Sequence, residues 1–138
     1  MPILPENHKS LEKIGKFLKK IHTDANFTSP FPRCKESAEI VSEISGKVFR
    51  IDPRISEFEG NTSFEKFRHD VKSFLEYIKK QNYSSVAICT HGAVIAAIKH
   101  LATNNSFYVY QVLDYPSPGN LVIIKNGKIE TIDFNESR

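Results

Sequence analysis

Apolar positions along the chain change period several times, and each change predicts an element. Leu11, Ile14, Phe17, Leu18 and Ile21 recur at helical spacing, with Pro5 near the start and lysines opposite, and predict an opening amphipathic helix. Ala25 to Thr28 predicts a short strand. Ala38, Val41 and Ile44 return to helical spacing until Gly46 stops that helix, and Lys47 to Ile51 predicts a second strand. Phe67, Val71, Phe74, Leu75 and Ile78 are the buried stripe of a helix over Phe64 to Lys80, from which His69 falls away. Val86 to Cys89 has the length of a buried strand, and Ala93 to Leu101 is apolar on nearly every side, as a core helix is. Asn104-Asn105-Ser106 breaks to an expected strand at Tyr108 to Leu113, and Tyr115 to Gly119 makes a turn. Leu121 to Ile124 then pairs with Ile129 to Phe134 around Asn126-Gly127, a strong hairpin signal.

Two of the turns seek an anion. Thr90-His91-Gly92 lies where a strand passes into a helix, the position at which parallel α/β sheets bind ligands. Gly92 lets the backbone approach a bound group closely. A histidine that merely caps the helix is the alternative. In the other turn, Thr28-Ser29-Pro30-Phe31-Pro32-Arg33, two prolines preset the entry, Ser29 can cap, and Arg33 falls in the opening turn of the next helix. A cation there opposes the helix dipole, which makes sense if the guanidinium grips a phosphate or carboxylate through two parallel hydrogen bonds. A solvated surface arginine is the competing reading.

Three segments in order, Ser29-Pro30-x-x-Arg33 with its Ala38-Glu39-Ile40 helix, Asp52-Pro53-Arg54-Ile55-Ser56-Glu57-Phe58-Glu59-Gly60, and Thr90-His91-Gly92, resemble successive motifs of the histidine phosphatase superfamily, which includes the cofactor-dependent phosphoglycerate mutases. Leu4 to Leu18 resembles its first helix and Gly119 to Phe134 its closing strands. The resemblance implies an α/β three-layer sandwich with a mostly parallel sheet and one antiparallel hairpin. It further implies that Arg33, His91 and Gly92 bind the phosphoryl group, that His91 is catalytic, and that Glu57 protonates the leaving oxygen, with Glu59 as the competing acid. The chemistry is coherent: fixed cationic donors stabilise a crowded phosphoryl group, and a carboxylic acid supplies the proton.

The family's nucleophile, a histidine in an Arg-His-Gly turn on a strand ahead of the first helix, has no counterpart here. The lone Arg-His pair, Arg68-His69, sits on a solvated helix face, and His8 reads as a helix-surface histidine. Loss of a covalent nucleophile costs roughly a million-fold in turnover by analogy with other covalent enzymes. The missing strand lies inside the family's sheet, between the strand ending at His91 and the carboxyl-terminal strands. The two unpaired rows left behind must close on each other, swap with a neighbour or be satisfied otherwise, giving a distorted sheet or a homodimer through the gap.

Composition narrows the partners. With 138 residues, 40% hydrophobic and 25% charged, the chain is expected to form one domain with one core. A net charge of +3 without a basic stripe interleaved with aromatics argues against nucleic acid, and no apolar stretch is long enough to span a bilayer. Cys34 and Cys89 make no secreted disulfide framework, so a cytoplasmic location is expected. A zinc site from Cys34, Cys89 and His91 is disfavoured because the cysteines lack metal-type spacing, and no metal or other cofactor is expected. Short connections after Glu57 and after the His91 helix leave little material for a lid, which favours a phosphatase or phosphoprotein binder over a mutase. The expected partner is a phosphorylated small molecule or phosphoprotein. Three readings remain: most of a phosphomonoesterase whose first strand lies upstream, a pseudophosphatase that binds phosphorylated ligands without turnover, and a structural domain with no phosphate site.

Overall fold

The computed structural model describes residues 5–56, 58, 62–90, 92–111, 120–125 and 128–133. Val112 and Leu113 of the expected strand at Tyr108 to Leu113, the Tyr115 to Gly119 turn, Asn126-Gly127 and the side chain of His8 fall outside what is described.

Helix α1 spans Pro5–Lys19, strand β1 Ala25–Thr28, α2 Pro32–Ser45 and β2 Arg50–Ile51. A 3-10 turn at Pro53–Ile55 precedes α3, Phe64–Lys80, which leads to β3, Ser85–Cys89, and α4, Gly92–Asn104. A second 3-10 turn at Val109–Gln111 is followed by β4, Asn120–Lys125, and β5, Lys128–Asp133. The strands form one sheet in the order β2-β1-β3-β4-β5; β1 pairs parallel with β2 and β3, whereas β4 is antiparallel to both β3 and β5. This is the expected mostly parallel sheet closed by a hairpin.

Strand alternation sorts the core into two layers. Ala25, Phe27, Val86 and Ile88 point to one face, where Phe67, Val71, Phe74 and Ile78 of α3 meet Val94, Ile98 and Leu101 of α4. Ala87 and Ile123 point to the other, against Leu11, Ile14 and Leu18 of α1 and Val41 of α2. A sheet between two helical layers is the three-layer sandwich. Gly15 lets α1 and α2 touch: a Cβ there would lie 2.7 Å from the Ile44 Cβ. Gly46 ends α2 in the left-handed region, φ 76°, with its N–H donating to the Ser42 carbonyl at 2.8 Å.

Some expectations need correction. Ser29 does not cap α2; Phe31 holds the N-cap position without a side-chain cap bond, and the Ser29 hydroxyl instead accepts from the Phe31 N–H at 3.2 Å. The strand expected over Lys47 to Ile51 contracts to Arg50–Ile51, because only Phe27 and Thr28 of β1 have partners there. Val109–Gln111 forms a 3-10 turn where a strand was expected, since the place beside β3 is taken by β4. That pairing runs from Ser85↔Lys125 to Ile88↔Val122, so the two rows expected to lack a partner close on each other.

Candidate functional site

Strands β2, β1 and β3 are parallel neighbours, so the loops leaving them emerge on one edge of the sheet. From β1 the chain passes by α2 to β2 on one side, then by α3 to β3 on the other. The order thus reverses between β1 and β3, and the crevice beyond their carboxyl ends is the usual ligand position in such sheets. Arg33 leaves β1 on that side, and the chain from β3 to Gly92 leaves beside it.

The three loops are tied together. The Ser29 N–H donates to the Cys89 carbonyl at 3.1 Å, and the Asp52 N–H to the Thr28 carbonyl at 3.0 Å. The Thr90 hydroxyl donates to the Ile55 carbonyl at 2.8 Å, and the Cys89 thiol approaches the Cys34 carbonyl at 3.7 Å. Ser29 is fully buried, so the start of the Arg33 loop is fixed. Arg33 itself is exposed, in the first turn of α2, and its guanidinium has no hydrogen-bond or ion-pair partner among the described residues. Gly92 opens α4 and is half-buried. His91, Glu57 and Glu59 lie outside the described residues; Thr90, Gly92, Ser56 and Phe58, their sequence neighbours, lie within them. The described loops therefore bring Arg33 and Gly92 to one edge of the sheet.

Two supports escaped the sequence reading. Arg54 donates from Nε and Nη2 to the Asp52 carboxylate at 3.0 and 2.7 Å, and its guanidinium faces the rings of Tyr77 and Phe74 at 5.0 and 5.7 Å. Burial works against the Asp52 charge, but the Arg54 hydrogen bonds and charge prevail and hold that carboxyl below its ordinary value. Phe58 stacks on Phe67 at 4.7 Å and meets Phe64 edge-on at 6.1 Å, anchoring the chain just past Glu57 to α3. The Asp52-Pro53 pair signals a turn by itself. The ring partners of Arg54, Phe74 and Tyr77, lie on α3, distant in sequence, where no local pattern points to them.

The Cys89 thiol is held below its ordinary pKa by a hydrogen bond from the Cys34 side chain; burial opposes this and a second bond, from Thr28, assists it. Among the described residues no cluster of three His, Cys, Asp or Glu side chains could hold a metal, and no helix is long and apolar enough to cross a membrane. A groove of about 330 Å³ between α3 and the segment after α4 is lined by Arg68, His69, Lys72 and Tyr108 among others, and includes neither Arg33 nor Gly92.

Comparison with known proteins bears on the amino-terminal sequence and on the fold. A sequence model of the histidine phosphatase superfamily (branch 1) matches residues 1–62, a stretch that holds Arg33 and Glu57 and ends before His91. No curated protein sequence matches the chain. Among solved structures, a candidate alpha-ribazole-5'-P phosphatase from Escherichia coli superposes with a TM-score of 0.79 at 12% identity, over 98% of this chain and 84% of its own. A phosphoglycerate mutase from Bacillus anthracis gives 0.66 at 14% identity, over 96% and 82%. A mycobacterial glucosyl-3-phosphoglycerate phosphatase gives 0.65 at 12% identity, over 95% and 86%. The first 62 residues thus resemble the histidine phosphatase superfamily in sequence, and nearly the whole chain shares the fold of these solved structures.

Proposed function

We propose that the crevice at the carboxyl ends of β1 and β3 binds the phosphoryl group of a phosphorylated small molecule or phosphoprotein. Arg33, His91 and the Gly92 backbone grip the phosphoryl oxygens, and Glu57 serves as proton donor to a leaving oxygen. The observation that carries this reading is the hydrogen-bonded convergence of the three loops, with an exposed guanidinium at its rim that has no partner among the described residues. An arginine there opposes the helix dipole, a cost that a bound dianion would offset. The 138 residues contain no Arg-His-Gly turn, so these residues by themselves are proposed to bind the phosphoryl group rather than to turn it over.

The test is thermal denaturation with inorganic phosphate or vanadate, because a ligand selective for the folded form raises the melting temperature by mass action. Wild type should shift upward, and Arg33→Ala and His91→Ala should lose the shift while melting normally without ligand. A flat wild-type response at high millimolar phosphate would refute the reading. A second reading, phosphomonoester hydrolysis, is favoured by the phosphatase names of two of the structural neighbours. It predicts that hydrolysis of an aryl phosphate, negligible for these residues alone, emerges when a strand ending in Arg-His-Gly is supplied ahead of α1. Robust His91-dependent turnover without that strand would show that the nucleophile has been misassigned.

A further inference from the structure

Tyr108, Val109 and Tyr110, successive large apolar side chains, stand exposed at the 3-10 turn that follows α4, and Tyr108 lines the groove between that segment and α3. The turn is held from two sides. The Tyr108 N–H donates to the Gln111 side-chain oxygen and the Gln111 N–H to the Tyr108 carbonyl, each at 2.9 Å, and the two tyrosine rings lie parallel with centroids 5.9 Å apart. Phe107, just ahead, is fully buried with its ring 5.4 Å from that of Phe64, and its carbonyl accepts from Arg68 Nη1 at 3.4 Å, so the segment is clamped to α3. The α3 wall is cationic. Arg68 pairs with Glu65, whereas His69 and Lys72 are exposed and have no hydrogen-bond or ion-pair partner among the described residues. We propose that this groove is a docking surface for an acidic segment of a partner protein, whose carboxylates face His69 and Lys72 and whose apolar side chains pack on Tyr108 and Tyr110.

Charge and surface together select that occupant. A row of exposed aromatic and β-branched side chains gives up little solvation when an apolar partner covers it, and because the turn is already fixed, little ordering is lost on binding. Tyrosine and arginine are also the residue types on which interface energy concentrates. Cations on the facing wall add complementarity to carboxylates and speed the encounter. A nucleic acid strand would likewise meet cations and ring faces, but it needs a continuous positive track. On α3, Glu65, Asp70 and Glu76 interrupt the cations, which suits a short acidic segment and not a polyanionic backbone. The groove includes neither Arg33 nor Gly92, so it is a second site and does not rest on the phosphate reading.

The experiment titrates the full chain into a fluorescein-labelled peptide rich in Glu and Asp with interspersed Leu and Phe, and follows anisotropy. Binding should saturate, weaken as salt rises, and fall about tenfold when Gln and Asn replace the peptide's acids. Lys72→Glu should weaken it about tenfold and Tyr108→Ala about fivefold. Lys79→Glu, the same charge reversal on α3 but outside the groove, should leave it within about twofold. In the wild-type chain, amide resonances from Arg68 to Lys72 and from Phe107 to Gln111 should shift as peptide is added, a readout that requires no variant to fold. No saturation up to about 1 mM protein, equal losses for Lys72→Glu and Lys79→Glu, or shifts confined to the Arg33 and Gly92 loops would each overturn the proposal. So would tighter binding of a single-stranded oligonucleotide at the same residues. No phosphate is present, so failure here would leave the phosphate reading untouched.

Discussion

Arg54 fixes the loop that runs toward Glu57 by combining a forked grip on Asp52 with contact to two aromatic faces. A lysine cannot reproduce that fork. Arg54→Lys should therefore destabilise the fold by about 1–2 kcal/mol, less than a fully buried charged hydrogen bond because the pair is partly solvated; urea unfolding measures this. The same pair sets a pH dependence. Asp52 is held below its ordinary value of 3.8 in the folded state, so its contribution is complete above that value and is lost as pH falls through the depressed one. Asp24, lowered by hydrogen bonds from His22 and Ser84, acts in the same sense. The melting temperature should stay level down to about pH 4 and drop below it, and Asp52→Asn should make that drop shallower. The hydroxyl of Thr90 is a third tie: Thr90→Val should cost about 1 kcal/mol and weaken phosphate binding, because it frees the Ile55 carbonyl. At this scale the sequence makes Arg33 legible through its unfavourable place in a helix. It hides Thr90, whose partner Ile55 is distant in sequence, and the ring contacts of Arg54 with Phe74 and Tyr77.

Helix α1 meets α2 through Gly15, and the close contact with Ile44 decides the outcome of a substitution there. Alanine favours a helix interior over glycine by about 1 kcal/mol, but the added methyl forces Ile44 to move at a cost of about 1–3 kcal/mol. Gly15→Ala should thus lower stability in chemical denaturation, against its helix propensity. On the opposite face Phe67 is buried between Phe58 and Phe107, and Phe67→Ala should cost about 3–5 kcal/mol. Helix α3 was legible because its stripe repeats over its whole length, and its observed bounds, Phe64–Lys80, agree with the pattern. The stretch beginning at Tyr108 misled because alternating aromatic and β-branched residues favour a strand only where a neighbouring strand is free to pair. Here Tyr108, Val109 and Tyr110 stay exposed.

Across the whole molecule, β3 is the axis of the sheet, parallel to β1 on one side and antiparallel to β4 on the other. Amide exchange should be slowest at Ala87 and Ile88, which are buried between the helical layers, and fast at Arg50 and Ile51 on the exposed two-residue edge. Equal protection of β2 and β3 would contradict this arrangement. The sandwich could be read from alternating strand and helix signals, whereas strand order could not. Neither turn reveals in sequence that the other will stand beside it; resemblance to a family supplied that step, and the Ser29 to Cys89 hydrogen bond gives its physical form. One consequence reaches into the protein's descent. Arg33 is mounted on α2, in the layer with α1, while the segment through Ser56 and Phe58 is moored to α3 beneath the sheet's other face. Under the proposed assignment, anion grip and proton delivery hang from separate scaffolds, so a lineage can drift in one while purifying selection preserves the other, and catalysis can lapse without recognition being lost.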